Sequence, residues 1–201
     1  RIAWRHYAVP IALFLCLLAT FAYFYHPAGG WNVNTRIALV YAIVEEGTFA
    51  IDSYHDTPGM GYLMTGDKAV YGGRNYCDKS PALSFMALPV YWLMHTARER
   101  FGVWEHLVHQ HWFIRTRYVM ETFAVSIPAA LLGVLLWMFA VRFGLSQEAA
   151  FAVSVTIMLG TVLAGYSSLF YPYLPASLCT MGAYWLALPP EGGWGENGRG
   201  K

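Results

Sequence analysis

Four charged residues between the first two long apolar runs of the sequence could do chemistry: the aspartates Asp52, Asp67 and Asp78 and the lysine Lys79. A carboxylate can take a proton from an attacking hydroxyl or hold a cation, and a lysine can neutralise a phosphate leaving group. The alternative is a solvated segment whose charges only keep it off an apolar surface, and charged loops without chemistry are common. Residue type alone leaves both interpretations open.

The chain around these residues is too apolar for an ordinary soluble domain. Its 201 residues are 57% hydrophobic and only 12% charged, about half the charge density of soluble proteins. The net charge of +1 gives no basic excess for a nucleic-acid backbone, so no nucleic-acid partner is expected. The three cysteines follow no metal or redox spacing, which argues against a disulfide-stapled secreted domain. Membrane lipids are therefore the expected surroundings.

Four apolar segments predict membrane crossings. The clearest spans 119–142, because its twenty uncharged residues 122–141 match a hydrocarbon core of about 30 Å at about 1.5 Å per residue. Arg1 and Arg5 precede the first segment, so the positive-inside rule places the N-terminus in the cytoplasm. A bacterial inner membrane is the expected location. The remaining predicted crossings are 9–25, 149–168 and 173–189.

The segment 26–118 is then one large external loop. Its apolar stretch 80–97 is barely long enough to cross, and a crossing there would carry Arg142 and the basic C-terminal end outside, so we predict an interfacial helix near 81–97. A second surface helix is predicted near 34–47, with Gly47 as its stop. The Gly-rich segment 190–201 is expected to be a flexible tail. The predicted fold is an all-α polytopic membrane protein, with 1–201 as a single membrane domain.

Three histidines, His106, His109 and His111, suggest a metal cluster. Only the first two would share a helical face, and no cysteine or second motif accompanies them. We therefore expect no metal site there. Whether a divalent cation binds beside the aspartates stays open.

Several short motifs, taken in order, resemble the first external loop of a known enzyme family. They are Asn32-Val-Asn34-Thr-Arg36, Glu45-Glu-Gly-Thr-Phe-Ala-Ile-Asp52, Asp67-Lys-Ala, Tyr76-Cys-Asp78-Lys79-Ser-Pro81-Ala-Leu-Ser and Leu88-Pro89-Val-Tyr91. The family comprises the polyprenyl-phosphate-sugar-dependent integral-membrane glycosyltransferases of the C superfamily, which are related to protein mannosyltransferases and aminoarabinose transferases. The resemblance covers most of 32–177 and corresponds to the N-terminal half of such enzymes.

The resemblance implies transfer of a sugar from an undecaprenyl- or dolichyl-phosphate carrier to a hydroxyl acceptor on the external face. Asp52 or Asp67 would deprotonate the acceptor, and Asp78 would orient it or bind a cation. Lys79 and Arg117 would hold the carrier phosphate. Catalysis would also require the three carboxylates to converge beside a groove, since a base acts only within hydrogen-bond reach of about 2.6–3.2 Å.

Further substrate-binding candidates implied by the resemblance are Asn34, Arg36, Tyr76 and Tyr173. Two of them depart from the family pattern: Asn34 stands where mannosyltransferase relatives carry a carboxylate, and Tyr173 stands where a histidine is expected. Asparagine cannot serve as a general base. With the short length, these departures keep a second interpretation open, that of a truncated, non-catalytic subunit packed against other subunits of a membrane complex.

The arginines before the second crossing also allow two interpretations. A guanidinium of Arg115 or Arg117 can hold a phosphate with two hydrogen bonds. Arg117 can instead pair with Glu121, which follows one helical turn later. The sequence favours neither.

Overall fold

The computed structural model describes residues 3–25, 29–55, 63–104, 107 and 109–189. The protein is mostly helical, with 73% helix and 5% strand. The strand fraction is one small sheet, so the predicted all-α class is wrong in that detail. The predicted tail 190–201 lies outside the described residues.

Nine helices and two strands make up the described residues. In chain order they are α1 Ala3–Tyr23, α2 Trp31–Tyr41, α3 Asp52–His55, β1 Lys68–Tyr71, β2 Arg74–Cys77, α4 Ala82–Phe101, α5 His109–Glu121, α6 Ile127–Arg142, α7 Gln147–Leu159, α8 Leu163–Tyr166 and α9 Tyr173–Ala187. A π-helical turn, Ala42–Glu46, extends α2. Another, Thr122–Ser126, joins α5 to α6.

The two strands form an antiparallel hairpin in which Lys68 lies opposite Cys77. Gly72 and Gly73 form its turn with φ of +58° and +78°, since a two-residue hairpin turn of this kind needs both central residues in the left-handed region. The sequence predicted only a loop here because the strands are mostly exposed and carry no clear apolar alternation. The open end of the hairpin brings the chain before β1 beside the chain after β2.

α6 is the centre of a helical bundle, with α1, α7 and α9 packed against it. At the crossing point, a Cβ on Gly133 would lie 2.3 Å from Leu17 Cδ1, so a larger residue there would force the Leu17 side chain to move. Ser154 Oγ donates to the Gly133 carbonyl at 2.5 Å. The apolar core of the bundle includes Leu13, Phe21, Ala129, Ala130, Leu132, Trp137, Ala150, Met158 and Leu174.

The helices α6, α7 and α9 alternate in direction along the chain, so α9 runs parallel to α6. At one end, the backbone N–H of Phe170, before α9, donates to Glu121 at the end of α5. At the other end, Trp137 Nε1 of α6 donates to the Gln147 carbonyl at 3.4 Å. Arg142 there donates to the carbonyl of Pro189, beyond α9.

A second group of elements, α2, α4 and α5, packs at the end of the bundle that holds Glu121, and it carries the hairpin. A helix is present in the region predicted near 34–47, and Gly47 ends it with φ of +65°. Tyr41 of α2 stacks on Tyr91 of α4 with ring centroids 4.4 Å apart. Its hydroxyl forms a buried 2.6 Å hydrogen bond with Thr116 of α5. These contacts hold the three helices together.

One helix among the described residues is long and apolar enough to cross a membrane, namely Gln110–Arg142 with 33 residues. It begins well before the predicted start at 119 because Trp112 and Phe113 bury their rings in the core shared with α2 and α4. The predicted crossing 149–168 is interrupted, since α7 ends at Leu159 and α8 begins only at Leu163. Four crossings therefore remain a prediction.

Candidate functional site

Lys79 lies at the open end of the hairpin between two carboxylates. Its Nζ is 3.2 Å from Asp67 Oδ2 and 3.1 Å from Asp78 Oδ2. The three side chains, here called the lysine cluster, are 24%, 30% and 32% exposed for Lys79, Asp67 and Asp78. Hydrogen bonds to Asp78 and Asp67 raise the pKa of Lys79. The cluster is thus a charged, accessible group of one cation and two anions.

The beginning of α2 positions Asp67. Thr65 Oγ1 accepts a hydrogen bond from the Asp67 backbone N–H at 3.1 Å and donates to the Trp31 carbonyl at 2.8 Å. A Cβ on Gly66 would lie 2.7 Å from the Trp31 ring, so the backbone passes directly against the indole. The hairpin fixes Lys79 and the α2 contacts fix Asp67, which brings the two charges together.

A cavity of about 210 Å³ opens beside Lys79. Tyr76, a substrate-binding residue in the motif resemblance, lines it. Apart from Lys79 its walls are largely apolar, and Phe49 meets Phe85 there edge to face with centroids 6.5 Å apart. The cavity could accept a molecule with an apolar portion and an anionic end. The other lining residues are Leu39, Cys77 and Pro81.

Asp52 does not join the lysine cluster. Its carboxylate accepts from the backbone N–H of Asn75 at 2.9 Å and from the Asn75 side chain at 2.7 Å, with Arg74 Nε at 3.4 Å. These bonds, the backbone one first, lower the pKa of Asp52. A carboxylate with a lowered pKa is a weak proton acceptor at neutral pH. Asp52 instead ties α3 to β2, so only two of the three predicted carboxylates converge.

Arg117 forms a second, buried charged group with Glu121. Its Nε lies 3.1 Å from Glu121 Oε1, and the two side chains are 2% and 1% exposed. Glu121 Oε1 also accepts from the Phe170 backbone N–H at 3.0 Å. Of the two interpretations open for Arg117, the geometry favours the helical pair. Arg117 is absent from the described lining of the cavity beside Lys79.

The side chains of Asn34 and Arg36 donate hydrogen bonds to backbone carbonyls. Asn34 Nδ2 donates to the Met64 carbonyl at 2.8 Å, three residues before Asp67. A Cβ on Gly29 would lie 2.6 Å from Asn34 Oδ1 and 2.9 Å from Arg117 Nη1, so both side chains meet at this glycine. Asn34, Arg117 and Glu121 are called the arginine cluster below. Arg36 is buried and donates to the Asn32 carbonyl at 3.0 Å and to the Asn32 side chain.

Tyr173 lies in a separate aromatic group at the start of α9. Its ring stacks on Tyr171 at 5.6 Å and meets Tyr166 edge to face at 5.0 Å, and it is 53% exposed. Within the described part of the chain, no group of three His, Cys, Asp or Glu side chains could hold a metal ion. His106 lies outside the described residues, and the His109 side chain is not described either.

Two residues of the site were missed at the level of sequence. Thr65 precedes Asp67 by two positions, the spacing of a hydroxyl that caps a turn, and that spacing could have indicated its role. The sequence suggests Glu121 only as a partner of Arg117. In the structure both side chains are buried, and Glu121 also accepts a hydrogen bond from the Phe170 backbone N–H. Nothing in the local sequence indicates that third contact.

Comparisons of the chain with protein-family models, with curated proteins and with solved structures give no match. The features that bear on function are the lysine cluster, the cavity beside it and the short motifs around them.

Proposed function

We propose that the chain is the carrier-binding, N-terminal half of a membrane glycosyltransferase, which moves a sugar from a polyprenyl-phosphate carrier to a hydroxyl acceptor. The observation that carries this proposal is the position of Lys79, which lies between Asp67 and Asp78 beside an apolar cavity. A polyprenyl phosphate combines an apolar chain with an anionic end, and the site offers a surface for each.

Lys79 is the phosphate-binding group in this proposal. A lysine ammonium has three donor protons and binds phosphate as a point charge. A phosphate oxygen at Lys79 Nζ would compete with the two carboxylates for these protons. Because the cluster is partly exposed, such an exchange does not require a charge to be buried without a partner. Binding would free one carboxylate next to the phosphate.

The freed carboxylate is the base. The acceptor oxygen attacks the anomeric carbon of the sugar, the bond from that carbon to the phosphate oxygen breaks, and the carrier phosphate leaves with the electron pair. Lys79 stabilises the developing negative charge. The acceptor proton passes to Asp67, and Asp78 orients Lys79 and the acceptor. Asp52 takes no part because Asn75 donates two hydrogen bonds to its Oδ1 and Arg74 lies 3.4 Å from its Oδ2.

The location of the site follows from the helices. In the proposed topology Gln110–Arg142 and the three other apolar segments each cross a bacterial inner membrane, and the lysine cluster lies on the external face.

Cysteine labelling from each side of the membrane tests this topology. Asp67→Cys and Tyr173→Cys should label from outside, and Gly144→Cys from inside. Labelling of the first two from opposite faces would contradict four crossings.

Binding of undecaprenyl monophosphate tests the site without knowledge of the sugar. The Kd is measured for the chain in phosphatidylcholine nanodiscs, for Lys79→Met, and for Arg74→Met as a control on the same hairpin. Hydrogen bonds to charged groups contribute about 1.5–3 kcal/mol, so Lys79→Met should weaken binding by about 10-fold or more while Arg74→Met binds like the unaltered chain. Equal affinity of Lys79→Met and the unaltered chain would refute the proposal.

A second function, that of a non-catalytic subunit, is favoured by one observation. Two residues expected in the active site, Asp52 and Arg117, are held by structural partners. If the unaltered chain fails to bind undecaprenyl monophosphate and purifies only with other membrane proteins, this second function replaces the first.

A further inference from the structure

A second and larger cavity, of about 470 Å³, lies along α5. Its volume is within the range of about 300–1,000 Å³ that small-molecule sites occupy. Met94 of α4 lines it, nine residues and about 13 Å along the helix from Phe85, which lines the cavity beside Lys79. The two cavities share no described lining residue. The wall from α5 consists of Ile114, Arg115, Tyr118 and Val119.

A cation stands at the edge of this apolar cavity. Arg115 is exposed, and within the described part of the chain its guanidinium has neither a hydrogen bond nor an ion pair. A second guanidinium is one aromatic ring away from the cavity wall: Arg98 lies 4.7 Å above the ring of Trp112, which is 6.0 Å from the ring of Trp104 in the wall. The surroundings therefore favour an anionic group beside an apolar one.

The depth of the cavity matches the surface of a bilayer. Arg115 precedes the uncharged run 122–141 by seven residues, or about 10 Å of helix. The polar interface of a bilayer adds about 5–8 Å on each side of its hydrocarbon core. If this helix crosses the membrane, Arg115 lies at the outer edge of the headgroup layer, from which its long side chain can reach the phosphates, and Val119 lies closer to the acyl chains. Tyr25 and Trp104 in the wall are typical of that level.

We propose that this cavity binds an anionic phospholipid of the surrounding bilayer, with the phosphate on Arg115 and part of one acyl chain in the apolar space. An anionic headgroup is favoured over a zwitterionic one because choline carries a positive charge toward the two arginines. The proposal requires that Gln110–Arg142 crosses the membrane. It does not depend on sugar transfer or on Lys79.

Lipid titration followed by native mass spectrometry tests the site. The purified chain in detergent is titrated with phosphatidylglycerol and with phosphatidylcholine of the same acyl chains. Phosphatidylglycerol should bind one site at least about tenfold more tightly, because phosphatidylcholine adds the positive charge of choline near the arginines. Arg115→Gln should weaken phosphatidylglycerol binding by at least about tenfold, the effect of one charge-assisted contact, whereas Arg74→Gln, on the exposed hairpin, should not.

A second variant examines the apolar part of the site. Val119→Trp should fill the cavity and weaken binding of both lipids, and circular dichroism checks that each variant keeps its helix content. Equal affinity for the two lipids, or no effect of Arg115→Gln, would overturn the proposal. The proposal would also be overturned if undecaprenyl monophosphate displaced phosphatidylglycerol and if Arg115→Gln bound neither lipid. The cavity would then be a binding site for the carrier. Lys79→Met should retain phosphatidylglycerol binding, which separates this proposal from the proposed function.

Discussion

The lysine cluster and the arginine cluster each pair a basic side chain with a carboxylate at nearly the same distance, yet their side chains differ in burial. The nitrogen–oxygen distances are 3.1 and 3.2 Å around Lys79 and 3.1 Å between Arg117 and Glu121. The side chains around Lys79 are 24–32% exposed, while those of Arg117 and Glu121 are 2% and 1% exposed. Distance alone thus does not separate a structural ion pair from an exchangeable one, whereas burial does.

The reason is the cost of leaving a charge without its partner. In the arginine cluster, loss of Arg117 would strand a carboxylate away from water, which typically costs about 3–5 kcal/mol. In the lysine cluster, water can replace a lost partner, and partly exposed pairs contribute only about 0–1 kcal/mol. An incoming anion can therefore displace a carboxylate from Lys79 far more easily than from Arg117.

Removal of the arginine charge should give the largest loss of stability. Arg117→Met should lower the free energy of unfolding by about 3–5 kcal/mol, because Glu121 stays buried without its cation. Unfolding by SDS in mixed micelles measures it. Arg115→Met, two residues earlier and exposed, should change stability by less than about 0.5 kcal/mol. A loss below about 1 kcal/mol for Arg117→Met would remove the contrast between the clusters.

Two neighbouring glycines offer a matched test of the packing at the arginine cluster. Gly29→Ala should cost about 1–3 kcal/mol, because its Cβ would meet Asn34 Oδ1 and Arg117 Nη1. Both atoms belong to side chains that Met64 and Glu121 hold in place. Gly30→Ala has nothing within 4 Å of its Cβ and a φ of −118°, so it should be tolerated. Equal unfolding free energies of the two variants would show that the cluster is loosely packed.

Asp52 should have a smaller, pH-dependent effect. Asp52→Ala removes acceptors for Asn75 and should cost about 0.5–1.5 kcal/mol at pH 7. Because the native pKa of Asp52 is lowered, its ionised form stabilises the fold above the unfolded pKa of about 3.9. That stabilisation is lost as the pH falls through the native pKa. Hydrogen exchange of the β2 amides should therefore differ between Asp52→Ala and the unaltered chain at pH 7, and much less at pH 2.

Lys79 should have the smallest effect on stability. Lys79→Met should leave the free energy of unfolding almost unchanged, because water can replace the lost partner of each carboxylate, while it weakens binding of undecaprenyl monophosphate. SDS unfolding of the same preparation used for binding gives both values. A loss as large as that of Arg117→Met would make Lys79 a structural residue and would leave the cavity without a binding cation.

The parts of the fold that the sequence predicts are those encoded by neighbouring residues. Gly47 ends the helix extended from α2 because it is the residue that most easily takes a φ of +65°. The spacing of Arg117 and Glu121 allows their pairing, but phosphate binding by Arg117 stays equally open in the sequence. The hairpin was missed although Gly72 and Gly73 mark its turn, because its strands bury too little to show alternation.

Contacts between distant residues decide the site and are not encoded locally. Asn34 holds the carbonyl of Met64, thirty positions away, and Asp52 holds Asn75, twenty-three positions away. The motif resemblance selects polar residues that belong to one region. It cannot say which of them hold backbone and which face a cavity, because that depends on how the hairpin packs on α2 and α3.

The central claim, that Lys79 holds the carrier phosphate, is tested most directly by a nitrogen–phosphorus distance measurement. The sequence has only three lysines, Lys68, Lys79 and Lys201, so solid-state NMR with ¹⁵N-lysine can resolve each ammonium. Undecaprenyl monophosphate is added to the chain in phosphatidylcholine bilayers, where its monophosphate signal is distinct from the phosphodiester of the host lipid. We predict that this phosphorus dephases the Lys79 ammonium at hydrogen-bonding range and neither of the other two. Dephasing of the Arg117 guanidinium in arginine-labelled chain, with Lys79 unaffected while the lipid is bound, would contradict the account.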